Sequence, residues 1–440
     1  MNREPAGQSR VNGHGYRDNG KPLKVLHIIN DLSIGGTEIM LAKLLSRTDR
    51  ELFEPIVISL NGISPLGDQI RELGIPIESL GAKSGVTNIL SLLRLIRAIR
   101  RLSPDLIQGW MYHGNLAGQL GAMFARRKVK VVWNIRQSLS SLDDEKPATA
   151  RAIKLGGRLA KWPDLILNNS QKSVAQHAAL GFPADKTLVI PNGFDTDTFI
   201  PSPEARASVR AELGVPDNTV LVGRIGRYHH TKDYTNFLKA ASFVLRDHPD
   251  VQFVVAGKDV DWNNDELRRR VQEFSLVERI HLLGERFDIP RLTAALDIAV
   301  SSSHAEGFPN VIGEAMACAV PCVVTDVGDS RALVGETGKI VPPREPEALA
   351  AGCNELIEIG RGPGVQLGLA ARQRIITHYS IASVARWYES LYQHLVTEGT
   401  LSEYQQQNVH KVDSETLTPV DQITARLPDF AQAASSRYAR

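Results

Sequence analysis

The sequence predicts two consecutive doubly wound α/β domains, and three observations carry that prediction. Short β-branched runs alternate with helical patterns along most of the chain, the signature of parallel sheets with crossover helices. The alternation breaks once, at the turn-rich stretch Pro191-Asn192-Gly193-Phe194-Asp195, and then restarts. With 440 residues the chain has room for two full cores and polar tails.

The first series opens with a strand over Lys24–Asn30, followed by Asp31-Leu32-Ser33-Ile34-Gly35-Gly36 and a helix over Thr37–Ser46. Further strands are expected at Pro55–Leu60, Pro76–Leu80, Asp105–Gly109, Val129–Asn134, Asp164–Asn168 and Lys186–Ile190. Past Pro201 and Pro203 a second series runs through Val220–Ile225, Val251–Ala256, Ile280–Leu282, Ala295–Ser301, Pro321–Thr325 and Lys339–Val341. These limits give a first domain over 23–195 and a second over 196–379. A helix within 380–397 follows the second sheet and can pack on either domain, while 1–22 and 398–440 read as disordered tails. Ligands of such sheets bind at the carboxyl ends of strands, so two facing Rossmann-like domains place the site in the cleft between them.

Composition narrows the function. Hydrophobic content of 42% and charged content of 23% suit a soluble globular protein. A net charge of +2 argues against nucleic acid as a partner and makes any basic feature local. Cys318, Cys322 and Cys353 form no metal-ligand spacing with histidine and fit a reducing compartment. The N-terminus lacks the apolar core of a signal peptide, and no run reaches the roughly 18 apolar residues of a membrane span. The expected location is cytoplasmic, free or peripheral on the inner face of a membrane.

The most informative segment is Glu306-Gly307-Phe308-Pro309-Asn310-Val311-Ile312-Gly313-Glu314. It follows an expected strand and leads into a helix over Asn310–Ala319, with glycine permitting an unusual turn and proline suiting a helix start. Free N–H groups at that start suit a phosphate or a polarised hydroxyl. Glu314 lies about one turn further in, so two carboxylates can grip different parts of one ligand. A cap acid and an unrelated surface acid explain the pair alone equally well.

Other strand ends add to it. Gly226-Arg227-Tyr228-His229-His230-Thr231-Lys232 precedes a helix over Lys232–Leu245, and its Arg227 and Lys232 can clamp two phosphates. His229 and His230 are expected to face solvent. Gly35 and Gly36 let backbone N–H groups approach a phosphate but lack dinucleotide-binding spacing. His113, opening a helix over Gly114–Ala125, and Arg136, after Val129–Asn134, stand at comparable positions. Asp259 and Asp261 mimic a metal-holding aspartate pair, but a polar turn explains them and no metal is expected.

In order and spacing, Gly35-Gly36, His113, Pro191-Asn192-Gly193, Arg227…Lys232, Glu306-Gly307-Phe308-Pro309-Asn310 and Glu314 resemble a family 4 retaining glycosyltransferase of the GT-B fold. The resemblance covers about residues 23–397 and is most specific in the two-acid motif with the Arg…Lys pair. It implies that Arg227 and Lys232 bind the donor diphosphate and that Glu306 binds donor-sugar hydroxyls. The backbone of Gly307, Phe308, Pro309 and Asn310 would hold sugar and phosphate oxygens, and Glu314 the ribose. Gly35 and Gly36 would close onto the phosphates, and His113 would line the reacting side of the sugar. The C-terminal helix would return to the first domain. Neither metal nor cofactor is implied, and UDP is the expected carrier on family frequency. A nucleotide-sugar epimerase and a non-catalytic nucleotide-sugar-binding protein share the architecture and remain the competing readings.

For the acceptor, a glycan or a lipid-linked molecule is expected, with Arg136 and the loop Ser138–Glu145 as contacts. Helices over Asn88–Leu102 and Arg151–Trp162 carry basic stripes, Arg94, Arg97, Arg100 and Arg101 on one and Arg151, Lys154, Arg158 and Lys161 on the other. Leu90, Leu93, Leu155 and Trp162 lie among them. Such faces suit an anionic membrane surface, and ordinary solvated faces account for them as well.

Overall fold

The computed structural model describes residues 20–397 except 34, 64, 82–88, 140 and 144, together with Leu401 and Tyr404. The tail expected at 1–22 is outside the described residues up to 19, as is 398–440 apart from Leu401 and Tyr404. Contacts divide the chain into two units. The first holds residues up to Asp195 with Glu306–Phe308 and His378–Leu401, and the second holds Thr196–Ala305 and Pro309–Thr377.

The first unit is built on seven strands: β1 (Leu23–Ile29), β2 (Phe53–Ser59), β3 (Ile77–Ser79), β4 (Leu106–Trp110), β5 (Lys130–Ile135), β6 (Leu165–Asn168) and β7 (Thr187–Val189). All pair in parallel in the order β3-β2-β1-β4-β5-β6-β7. The central strands are near-continuous apolar runs because helices cover both faces. One face packs Leu26, Ile28, Ile107 and Ala117 against Leu95 and Ile99, and Trp133 and Ile166 against Ile153. The chain reverses strand order between β1 and β4, the place where open α/β sheets take ligands.

The second unit repeats the plan with six strands: β8 (Leu221–Ile225), β9 (Gln252–Ala256), β10 (Ile280–Leu282), β11 (Ile298–Ser301), β12 (Cys322–Thr325) and β13 (Lys339–Val341). Their order is β10-β9-β8-β11-β12-β13, with the reversal between β8 and β11. Val222, Phe253, Val255, Ile298 and Val323 form the centre of its core.

Most expected boundaries shift by a residue or two, and four of the shifts have a clear local reason. The strand expected over Ala295–Ser301 begins at Ile298, because Asp297 is held by side-chain bonds before it. The helix expected over Gly114–Ala125 runs Met111–Ala122 and leaves β4 without a loop, Met111 taking φ 59°. The helix expected over Lys232–Leu245 runs Tyr234–Asp247, because Asp233 at φ 46° breaks the chain and caps the N–H of Asn236 at 3.1 Å. The helix expected over Arg151–Trp162 runs Pro147–Leu159, proline starting it one turn early.

The helix Ile381–Val396 belongs to the first unit, beside the helix Gly36–Arg47. Phe194 joins it by a one-residue bridge, donating to Tyr379 O and accepting from Ile381 N, both at 2.8 Å. Its Tyr388 and Tyr392 are buried, and their hydroxyls meet Asn134 at 3.1 Å and Gln108 respectively.

Asp297 accepts from the Leu221 backbone at 2.8 Å, from Arg206 at 2.8 Å and from Arg210, whose side chain is 1% exposed. Asp297→Ala leaves the Arg210 charge buried without its carboxylate, and a loss of about 3–5 kcal/mol is expected. Urea denaturation should show a lower midpoint with an unchanged slope.

Candidate active site

In the second unit, the two loops leaving β8 and β11 are stitched together beneath their exposed sides. Gly226, at φ 149°, turns the chain at the end of β8 and places Arg227 in solvent. The loop continues into a short 3-10 turn over His230–Lys232. Its carbonyls point inward: Lys232 O accepts from Arg224 Nη2 at 2.5 Å and from Ser302 Oγ at 3.0 Å. Tyr234 donates its hydroxyl to Gly226 O. From the β11 side, His304 N donates to Thr231 O at 2.9 Å, and Arg224 Nε donates to Ser302 Oγ at 3.1 Å.

Arg224 is 2% exposed and its guanidinium lies 3.7 Å from the centre of the Tyr234 ring. Cation–π contact strengthens when both partners are desolvated. Exposed Arg227, half-buried Lys232 and the rings of His229, His230 and His304 thus gather at one strand-end. His229 corrects the expectation of a solvent-facing pair. It is half-buried, its Nδ1 sits 2.8 Å from Thr231 Oγ1, and burial with the nearby cations holds its pKa below the ordinary value. The arrangement concentrates positive charge where an anion can reach it.

The same β11 loop carries the two-acid motif. The helix Asn310–Ala317 starts with Pro309 in the cap position rather than inside the helix, and the proline side chain itself makes no cap bond. Glu314 is half-buried one turn in, and Glu306 is half-buried before the turn. Glu306, Gly307 and Phe308 make their contacts within the first unit. Phe308 stacks on Phe194 with ring centres 6.0 Å apart, and Tyr379 lies 6.1 Å from it. A Cβ on Gly307 would come within 2.3 Å of Ser138 Oγ, so a side chain there would displace Ser138.

In the first unit, Gly35 caps the helix Gly36–Arg47 in extended conformation, without a side-chain cap. Two acids accompany it. Asp31 accepts from the Ser33 backbone at 3.0 Å and from Asn30 at 2.9 Å, and burial pushes the Glu38 carboxyl up. His113 lies in the first turn of the helix Met111–Ala122, half-buried, and burial lowers its pKa. Arg136 turns its guanidinium onto Asn192 at 3.2 Å and onto Tyr388 OH at 2.8 Å, and so fastens the C-terminal helix. Of the Ser138–Glu145 loop, residues 140 and 144 lie outside the described residues.

Asp261 accepts from Asn263 N at 2.8 Å inside a polar turn, and among the described residues no group of three His, Cys, Asp or Glu could hold a metal ion. Sequence reasoning missed Arg224, Ser302 and Tyr234. The signal was available in part: an arginine inside a strand expected to be buried on both faces must find partners.

Residues 34–198 match the family profile described as Glycosyltransferase Family 4, and residues 218–358 match that of Glycosyl transferases group 1. An Escherichia coli relative, UDP-Gal:alpha-D-GlcNAc-diphosphoundecaprenol alpha-1,3-galactosyltransferase, is 27% identical over 61% of this chain and 70% of its own. A D-inositol 3-phosphate glycosyltransferase of Mycolicibacterium gilvum is 28% identical over 77% of each chain. The crystal structure of Anabaena HepE in complex with UDP-glucose superposes with a TM-score of 0.68 at 26% identity, covering 84% of this chain and 99% of that one.

Arg224→Met removes the donor that joins β8 to both loops while keeping an apolar stem of similar reach. The protein should stay folded, at a cost of about 1–3 kcal/mol for the hydrogen bonds lost. Amide exchange should quicken between Thr231 and Asn236, and unchanged protection there would show that Ser302 alone holds the loop.

Proposed function

The chain belongs to the family 4, group 1 glycosyltransferases of the GT-B fold, and we propose that it moves a hexosyl or N-acetylhexosaminyl unit from a UDP-sugar to a glycan or lipid-linked acceptor, with retention and without a metal. The carrying observation is the junction of the β8 and β11 loops, where His304 N donates to Thr231 O, so that the loop bearing Arg227 and Lys232 is tied to the β11 loop just ahead of the two-acid motif in sequence. Departure of a nucleoside diphosphate leaves negative charge on oxygen and positive character on the sugar. Cations and helix-terminal N–H groups answer the first, and carboxylates and carbonyls tolerate the second.

In this reading Arg227 and Lys232 receive the diphosphate. Glu306 and the backbone of Gly307, Phe308, Pro309 and Asn310 hold the sugar, and Glu314 binds the ribose. Gly35 and Gly36 meet the phosphates, and His113, kept neutral by burial, lines the sugar. The donor class is supported by the UDP and UDP-glucose complexes of HepE, and the acceptor class by the diphosphoundecaprenol acceptor in the name of the E. coli relative. A lipid-linked acceptor would place the protein at the cytoplasmic face of a membrane. No described helix is long and apolar enough to cross one.

A panel of nucleotide sugars followed by NMR tests the proposal. Slow hydrolysis with retained anomeric configuration, undiminished by EDTA, is the expected outcome, whereas release of an epimerised sugar without acceptor would overturn transfer. Arg227→Ala or Lys232→Ala should lower turnover about 100- to 1,000-fold, with UDP binding weakened. Glu314→Gln should chiefly weaken UDP binding, by about 1–3 kcal/mol. A free imidazole is half-protonated near pH ~6.5. Burial shifts the His113 titration lower, so a rate that needs its neutral ring should persist through that pH and fall only below it.

A further inference from the structure

Three neighbouring helical segments of the first unit carry charged residues of a single sign. The helices Ile89–Leu102, Met111–Ala122 and Pro147–Leu159 pack side by side in that order on one side of the sheet. Counted with their flanks, the segments 89–102, 111–128 and 146–162 hold four, three and five lysines or arginines, and not one aspartate or glutamate. Across the whole chain 51 basic residues are balanced by 49 acidic ones, so this face departs sharply from the average.

The cations are interleaved with large apolar side chains that the fold leaves in solvent. Ile89 is 74% exposed, Leu90 61% and Trp162 53%, with Leu93, Phe124 and Leu155 exposed as well. Arg151, Lys154, Arg158 and Lys161 recur every three or four residues along the third helix and its end, all exposed, with Leu155 and Trp162 in the same stripe. Arg94 and Arg100 donate to the carbonyls of Leu80 and Phe124, which fixes their charge at the surface without neutralising it, whereas Arg101 and Arg127 are paired with Glu78 and Asp105.

We propose that this three-helix face docks the enzyme on an anionic bilayer, the cations meeting lipid phosphates and Trp162, Leu155 and the Ile89–Leu93 edge entering the headgroup layer. Charge complementarity selects the occupant, and the apolar side chains favour a bilayer over a purely polar polyanion. Tryptophan suits that depth because its ring is amphipathic. None of the cations or apolar side chains named for this face is among the residues assigned to the donor, so the proposal stands or falls independently of the donor assignment.

The full chain is sedimented with phosphatidylcholine vesicles, with and without phosphatidylglycerol, at low and high salt. Binding only to the anionic vesicles, weakened by salt, with a blue shift of emission that Trp162→Phe removes, is expected. Each surface cation contributes about fivefold to binding, so the quadruple variant R151Q/K154Q/R158Q/K161Q should bind several hundred-fold more weakly. If that variant does not fold, the pairs R151Q/K154Q and R158Q/K161Q replace it, each losing about 25-fold. UDP binding, measured without vesicles, should be unchanged in all of them. Equal binding to neutral and anionic vesicles, wild-type binding by the charge variants, or binding of heparin or duplex DNA with no binding to vesicles would each overturn the proposal.

Discussion

A buried guanidinium governs the shape of the loops that leave β8 and β11. Arg224 sits on a central strand at 2% exposure, where an uncompensated charge would cost several kcal/mol. Its compensation comes from three places: the carbonyl of Lys232, the hydroxyl of Ser302 and the face of Tyr234. Those partners lie on segments that leave β8 and β11 toward opposite sides of the sheet. Satisfying one charge therefore fixes both loops, and with them the positions from which Arg227, Lys232 and Glu306 start.

The first unit uses the same principle for a different end. Arg136, Asn134, Asn192 and Tyr388 satisfy one another and hold a helix that lies some 250 residues away in sequence, from Asn134 to Tyr388 a separation of 254. A polar residue at the carboxyl end of a strand is thus ambiguous. It can face a ligand or serve as a fastener, and only the partners decide. The arginine expected as an acceptor contact is a fastener, and the one that orients the opposite loop was hidden inside a strand.

What the sequence conveyed and what it withheld follow from range. Each strand was legible because apolar β-branched runs and turn residues are local features. Ile280–Leu282 and Lys339–Val341 match residue for residue, as they are short runs bounded by clear breaks. The start of the helix at Met111 was not legible, since neither Trp110 nor Met111, where the strand becomes a helix in one residue, is a residue type that marks a turn. The Arg…Lys and two-acid motifs were visible as spacings, but the bond from Arg224 to Ser302 spans 78 residues and has no local trace. Nor does the local sequence around Phe308 show that its ring packs against Phe194 and Tyr379.

Net charge misleads for a related reason: it is a sum over the chain, and a sum cannot report segregation. Solvated helices commonly interleave both signs, which lowers self-repulsion. The helix Asp265–Glu273 does so, pairing Arg268 with Asp265 at 2.6 Å and Arg270 with Glu266 at 2.8 Å. The three helices of the first unit carry cations without any such partner on their own segments. Repulsion among them is unfavourable in the free protein and would be relieved by an external array of negative charge. Exposed Trp162 and Leu155 beside the same cations have the same logic, since water solvates them poorly and an interface would not. A basic stripe with acids interleaved is an ordinary surface; one with apolar groups interleaved instead would be stabilised by a partner that is anionic outside and oily within.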